Sequence, residues 1–125
     1  MSLGSSGGNL LILVSDLERS TRFYRETLGM KMTGGIPGEF AFFEWGGITL
    51  ALRETDQPIA NCLCEISFQV GDVRAAYDSL SKRGVAFTRP PRMVTGDATK
   101  ELLATDFRDP DGHVLSITGW SAKKK

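Results

Sequence analysis

A small set of side chains in this sequence could do chemistry. His113 is the only histidine, and it follows the acidic stretch Asp109-Pro110-Asp111-Gly112. An imidazole beside carboxylates could act as a general base or as a metal ligand. Glu65 opens the run Glu65-Ile66-Ser67-Phe68-Gln69-Val70. A carboxylate at the start of a strand binds a partner or is neutralised by an arginine or lysine; buried without a cation, its pKa rises and it becomes a catalytic general base. Cys62 and Cys64 are one residue apart and could supply two soft metal ligands. On a strand their side chains would run parallel, which suits a disulfide badly. With one histidine to complete a site, buried free thiols in a reducing compartment are the better reading.

Each candidate also has a structural role to weigh. In Asp109-Pro110-Asp111-Gly112 both aspartates suit a turn, through Asx-type bonds to the backbone and a glycine at positive φ. His113 is opposite in parity to Ser116, so if Ser116 faces a ligand, His113 is an exposed turn residue. On Phe40-Ala41-Phe42-Phe43-Glu44-Trp45, alternation separates Phe40 and Phe42 from Phe43 and Trp45. One pair belongs to the core and the other lines a pocket for a flat or apolar ligand; alternation does not say which. Phe43 and Trp45 are the candidate ligand-facing residues, with Trp120. Thr33-Gly34-Gly35 lacks the lysine and helix of a phosphate loop. No serine or cysteine nucleophile can be assembled around the one histidine.

The elements that must position these residues come from an internal repeat. Asn9–Met32 and Glu65–Phe87 match in pattern: Val14-Ser15-Asp16-Leu17 aligns with Val70-Gly71-Asp72-Val73, and Gly29 with Gly84. Each copy reads as strand, capped helix, glycine stop and strand. Ser15 and Glu18 have capping-box spacing, and Asp16 and Asp72 place carboxylates at helix starts. Val73, Ala76, Tyr77 and Leu80 form one apolar stripe; Leu17, Tyr24 and Leu28 form the other. Further strands are expected at "GMKMT", "FAFFEW" and "ITLALRE", then at "VAFTR", "KELLATDF" and "HVLSITGW". "TGGIPGE" and "RPPRMVTGDAT" read as flexible loops able to cover a cavity mouth.

The expected fold class is therefore α+β: two β-α-β-β-β modules, about 9–54 and 62–120, forming curled mixed sheets around a cavity with the helices on the outer faces. A single domain spans 9–120, preceded by a flexible leader or cloning remnant at 1–8 and followed by a basic tail at 121–125. In Glu65–Val70, Ile66, Phe68 and Val70 should meet the helix, leaving Glu65, Ser67 and Gln69 on a polar face; Asn9, Leu11 and Leu13 correspond in the first strand. The 15 basic and 15 acidic residues balance, giving no field to attract nucleic acid or an anionic membrane. No apolar run reaches the roughly 20 residues of a membrane span, and no signal peptide is visible, so a cytoplasmic protein is expected.

"VSDLERSTRFYRETLGMK", "FQVGDVRAAYDSLSKRGV" and "FRDPDGHVLSI" make the chain resemble the vicinal oxygen chelate superfamily, over Asn9 to about Thr118. That superfamily includes glyoxalase I, extradiol dioxygenases, methylmalonyl-CoA epimerase and the bleomycin- and fosfomycin-resistance proteins. The resemblance implies paired modules around a central cavity, in a homodimer. Its metal-dependent members carry His, Glu or Gln at four positions, which fall here on Asn9, Ala51, Glu65 and Ser116. Of these only Glu65 is a good ligand, and a catalytic site usually needs about three. No cofactor is expected, with a divalent metal as the minor alternative.

The resemblance thus implies a metal-independent protein that sequesters an aromatic or amphipathic compound, with Asn9, Leu11, Phe43, Trp45, Ala51, Glu65, Ser67, Ser116 and Trp120 as its candidate contacts. Bleomycin is disfavoured, because a cationic drug favours an acidic cleft and this chain is neutral. Whether the protein is an enzyme stays open. The alternative is a lyase, isomerase or dioxygenase with displaced metal ligands or with Glu65 as general base.

Overall fold

The computed structural model describes residues 8–59 and 64–123. The rest of the expected leader, Cys62 and the end of the basic tail lie outside the described residues. The chain divides into two compact units, Met1–Ala60 and Asn61–Lys125. Each holds one four-stranded mixed sheet and one main helix in the order β-α-β-β-β, so the fold is α+β as the repeat requires. Among the described residues no helix is long and apolar enough to cross a membrane.

In the first unit, β1 (Leu10–Val14) leads into α1 (Leu17–Arg22), which continues through a π-helical turn at Phe23–Thr27. Then come β2 (Lys31–Ile36), β3 (Phe40–Trp45) and β4 (Ile48–Glu54), in sheet order β1-β4-β3-β2. β1 runs parallel to β4, and the other pairs are antiparallel. Asp16, not Ser15, caps α1: its backbone is extended and its carboxylate accepts the Arg19 amide at 3.0 Å. Ser15 instead accepts the Arg19 guanidinium at 3.0 Å. The aspartate brings negative charge to the helix start, which the serine cannot. Gly29 takes the left-handed φ of 75° that ends the helical segment.

α1 packs on β3 and β4. Leu17 and Tyr24 are buried on its inner face, with Val14, Ala41, Phe43, Leu50 and Leu52 buried on the strands. The Tyr24 and Phe43 rings meet with centroids 6.0 Å apart. Burying each large side chain here contributes about 1.5–3 kcal/mol.

The second unit repeats the plan with β5 (Glu65–Gln69), α2 (Val73–Lys82), β6 (Arg92–Gly96), β7 (Lys100–Arg108) and β8 (Val114–Ala122). Its sheet order is β5-β8-β7-β6, with β5 and β8 parallel. Asp72 caps α2 by accepting the Ala75 amide at 3.0 Å, and Gly84 has φ 93°. α2 packs across β7 and β8.

The edge strand departs from expectation. "VAFTR" is not a strand: Phe87 forms a single bridge with Phe107, and the ladder resumes only at Arg92. Pro90 and Pro91 explain the gap, since neither has an N–H to donate. "RMVTG", expected as loop, is β6, paired to β7 with a register shift between Met93 and Thr95. In the first unit β2 likewise extends to Ile36, leaving Pro37, Gly38 and Glu39 as the hairpin tip.

Candidate functional site

Cross-strand register settles which side chains share a sheet face. In the first unit Leu11 pairs with Ala51, and Ala51 with Phe42; Leu13 pairs with Arg53, and Arg53 with Phe40. These residues occupy the face that α1 does not cover. Asn9 precedes β1 and joins that set by alternation. Asn9 and Leu11 are exposed there, while Ala51 is buried.

Phe43 belongs elsewhere. It is fully buried against Tyr24 under α1, and Trp45 shares its parity. The helix needs an aromatic floor for Tyr24, and Phe43 supplies it, so Phe43 is core and not a ligand contact. The pair on the helix-free face is Phe40 and Phe42, stacked at 6.1 Å with 15° between the rings.

In the second unit Ser67 pairs with Ser116 and Ser116 with Asp106, giving a polar row across three strands. Glu65, Val114 and Arg108 form the next row; Gln69, Thr118 and Ala104 the one on the other side. Glu65, Ser67, Ser116 and Trp120 thus share one face, opposite α2. Ser67 Oγ lies 3.4 Å from Thr118 Oγ1. Ser116 is 3% exposed, and its Oγ has no hydrogen-bond partner among the described residues. Trp120 is half exposed, with the Lys100 ammonium 4.6 Å from its ring centre, a cation–π contact.

Asp106 is a candidate site residue that the sequence alone did not bring out. It stands opposite Ser116 and lies 3.8 Å from Arg89 Nε through Oδ1. Alternation along "ELLATDF", with Leu103, Thr105 and Phe107 buried, would have placed its side chain on the helix-free face. Its pairing with Ser116 depends on hairpin length, which alternation does not give.

The residues at the superfamily's four metal positions do not fit a metal ion. Ala51 has no donor atom, Ser116 offers a neutral hydroxyl and Asn9 an amide oxygen; Glu65 alone is a strong ligand. Among the described residues no group of three or more His, Cys, Asp or Glu side chains is placed to hold a metal. Cys64 is exposed, contrary to the expected burial.

His113 is a turn residue, but not an exposed one. Its Nδ1 lies 2.7 Å from Asp109 Oδ2, and its side chain is 11% exposed. Asp109 Oδ1 accepts the amides of Asp111 and His113 at 3.0 and 2.8 Å. The pair fastens the β7–β8 connection. With its Nδ1 engaged there, the imidazole has a structural task of its own.

What these faces can do chemically differs between the units. The first offers stacked phenyl rings and leucines, suited to a flat apolar surface. The second offers hydroxyls and carboxylates, suited to hydrogen bonding.

Comparison with known proteins agrees with this architecture. A family model, the Glyoxalase/Bleomycin resistance protein/Dioxygenase superfamily, matches residues 8–117. The uncharacterized protein YraH of Bacillus subtilis is 31% identical over 122 residues, covering 85% of this chain and 91% of the relative. A probable lactoylglutathione lyase of Vibrio parahaemolyticus is 25% identical over 128 residues, covering 90% and 91%. Among solved structures, a protein from the mobile metagenome of V. Pseudocholerae aligns with a TM-score of 0.75 at 25% identity, over 97% and 98% of the two chains. The fosfomycin resistance protein FosX of Listeria monocytogenes aligns at 0.73 and 20% identity, over 92% and 93%, a likeness of fold. Repeat, paired modules and a match over residues 8–117 agree, and the chain belongs to the glyoxalase/bleomycin resistance protein/dioxygenase superfamily, with its vicinal oxygen chelate fold.

Proposed function

We propose that this protein binds and sequesters an aromatic or amphipathic small molecule without a metal, as a cytoplasmic homodimer, using the sheet faces that its helices leave uncovered. Ser116 carries this reading. Where a metal-dependent relative would hold a ligand, this chain has a buried neutral hydroxyl with no partner among the described residues. Such a hydroxyl is costly unless something hydrogen-bonds to it, and it suits an organic polar group better than a cation. Ser67 and Thr118 extend the polar surface, and Phe40, Phe42 and Leu11 provide apolar area on the first unit.

Metal analysis of the purified protein, joined to a thermal-shift screen of aromatic metabolites and divalent cations, tests it. A ligand present at a hundred times its Kd should add about 2.7 kcal/mol of stability. An organic compound should raise the melting temperature while cations leave it unchanged. Specific stabilisation by micromolar Ni²⁺, Zn²⁺, Mn²⁺ or Fe²⁺ would overturn the metal-free reading.

A second reading, a metal-free lyase or isomerase, has its own support. Glu65 and Asp106 place two carboxylates on one sheet face, and a relative at 25% identity is named a probable lactoylglutathione lyase. Glu65→Gln separates the two: it abolishes turnover of a substrate if Glu65 is a base, and only alters affinity if the protein sequesters.

A further inference from the structure

On the other side of the first sheet, the helix side, a cleft of about 640 Å³ opens between α1 and the β2–β3 hairpin. That volume is ordinary for a small-molecule site. Its floor is apolar, with Leu17, Met32 and Ala41, the hairpin tip from Ile36 to Phe40 closes one end, and its rim is charged at both ends. Asp16, at the start of α1, and Glu54, at the end of β4, mark one end: Glu54 pairs with Val14, just before Asp16. Arg25 marks the other, its Nη1 lying 3.9 Å from Met32 Sδ, with Arg22 one turn earlier on the same wall.

Of these charges the arginines and Glu54 are available, while Asp16 Oδ1 also caps α1. Arg22 is held by Glu18 at 3.2 Å and Arg25 by Glu26 at 3.4 Å, but all four side chains are about half exposed or more, and such pairs exchange readily. The Glu54 carboxylate has no ion-pair partner among the described residues. From Asp16 to Arg25 the helical segment advances about 13 Å.

The remaining wall is β2, the last strand of its sheet, exposed along its whole length and carrying Gly34 and Gly35 in its middle. Gly35, paired with Ala41, carries no side chain over the floor, which leaves room for a second backbone to approach there. We infer that this cleft binds a short peptide of about four residues with free termini. Its backbone runs between α1 and β2 over Gly35, its apolar side chains rest on the floor, its ammonium meets Asp16 and Glu54, and its carboxylate meets Arg22 and Arg25. At about 3.3 Å per residue, four extended residues span the distance between the charged ends.

Isothermal titration calorimetry with the tetrapeptide Ala-Leu-Phe-Ala tests this, comparing the free form with N-acetylated and C-amidated forms. Each cap should weaken binding about fivefold, the loss of one partly exposed ion pair. Glu54→Gln should weaken the free peptide by a similar factor and leave the acetylated form unaffected; Arg25→Gln should do the same toward the amidated form. Thr21→Trp, which puts an indole on the cleft wall, should abolish binding while the melting temperature confirms folding. Absence of binding at millimolar peptide, indifference to both caps, or binding that survives Thr21→Trp would each overturn the assignment.

Discussion

Asp97 shows how a single exposed carboxylate can acquire a defined job. It sits in the turn between β6 and β7, where one oxygen accepts the Thr99 amide at 2.9 Å and the Lys100 amide at 3.0 Å. Those backbone N–H bonds, Thr99's first and Lys100's second, hold its pKa below the ordinary 3.8. A carboxyl depressed in the native state adds stability above its unfolded pKa and loses that contribution as pH falls through the native value. The turn should therefore hold at neutral pH and loosen below about pH 4. Carboxyl NMR should show Asp97 titrating lower in the native protein than in urea, and equal midpoints would sink the argument. Ser116 and His113 carry the contrasting lesson. Sequence parity set them on opposite faces and read His113 as exposed, yet the imidazole's tie to buried Asp109 is a contact between side chains that parity does not report.

Within the elements, close approach of backbone decides what the strands and helices can carry. Gly119 on β8 lies where α2 begins: a Cβ built there would stand 2.4 Å from the Val70 carbonyl oxygen and 3.0 Å from Val73 Cγ2. The backbone carbonyl cannot give way without shifting the entry to α2, so Gly119→Ala should cost about 2–3 kcal/mol, as overpacking against a fixed neighbour does. Gly71→Ala, with nothing within 4 Å and no positive φ, should cost little. Urea unfolding of both variants checks the contrast, and equal stabilities would refute it. The elements themselves were largely legible, because helix caps, glycine stops and period-two alternation are local signals. β6 was not: its proline-rich approach reads as loop, and only pairing with β7 makes "RMVTG" a strand. The choice between the two aromatic pairs likewise waited on Tyr24, which packs from the helical segment onto Phe43.

At the scale of the whole molecule, the fold was readable because the repeat doubles every signal, whereas the site depends on which side chains meet across strands. The Ser67–Ser116–Asp106 row is the clearest case. Charge and exposure bear on the proposed homodimer. Leu10, Leu11, Met32, Ile36, Ile48, Met93, Val94 and Trp120 are all exposed by 37% or more. Ile36 lies on edge strand β2, and Met93 and Val94 on edge strand β6. Single exposed apolar residues are normal, but apolar side chains on unpaired edges favour association. With formal net charge zero and pI near 6.6, no self-repulsion opposes it. Sedimentation equilibrium at about 10 μM should therefore give twice the 13.6 kDa chain mass, and an apolar contact should change little between 50 and 500 mM salt, where screening alters only charge–charge terms. A chain that stays monomeric at 100 μM would remove the homodimer from the proposal, and dissociation by salt alone would mean that ion pairs, not these apolar edges, hold the two copies together.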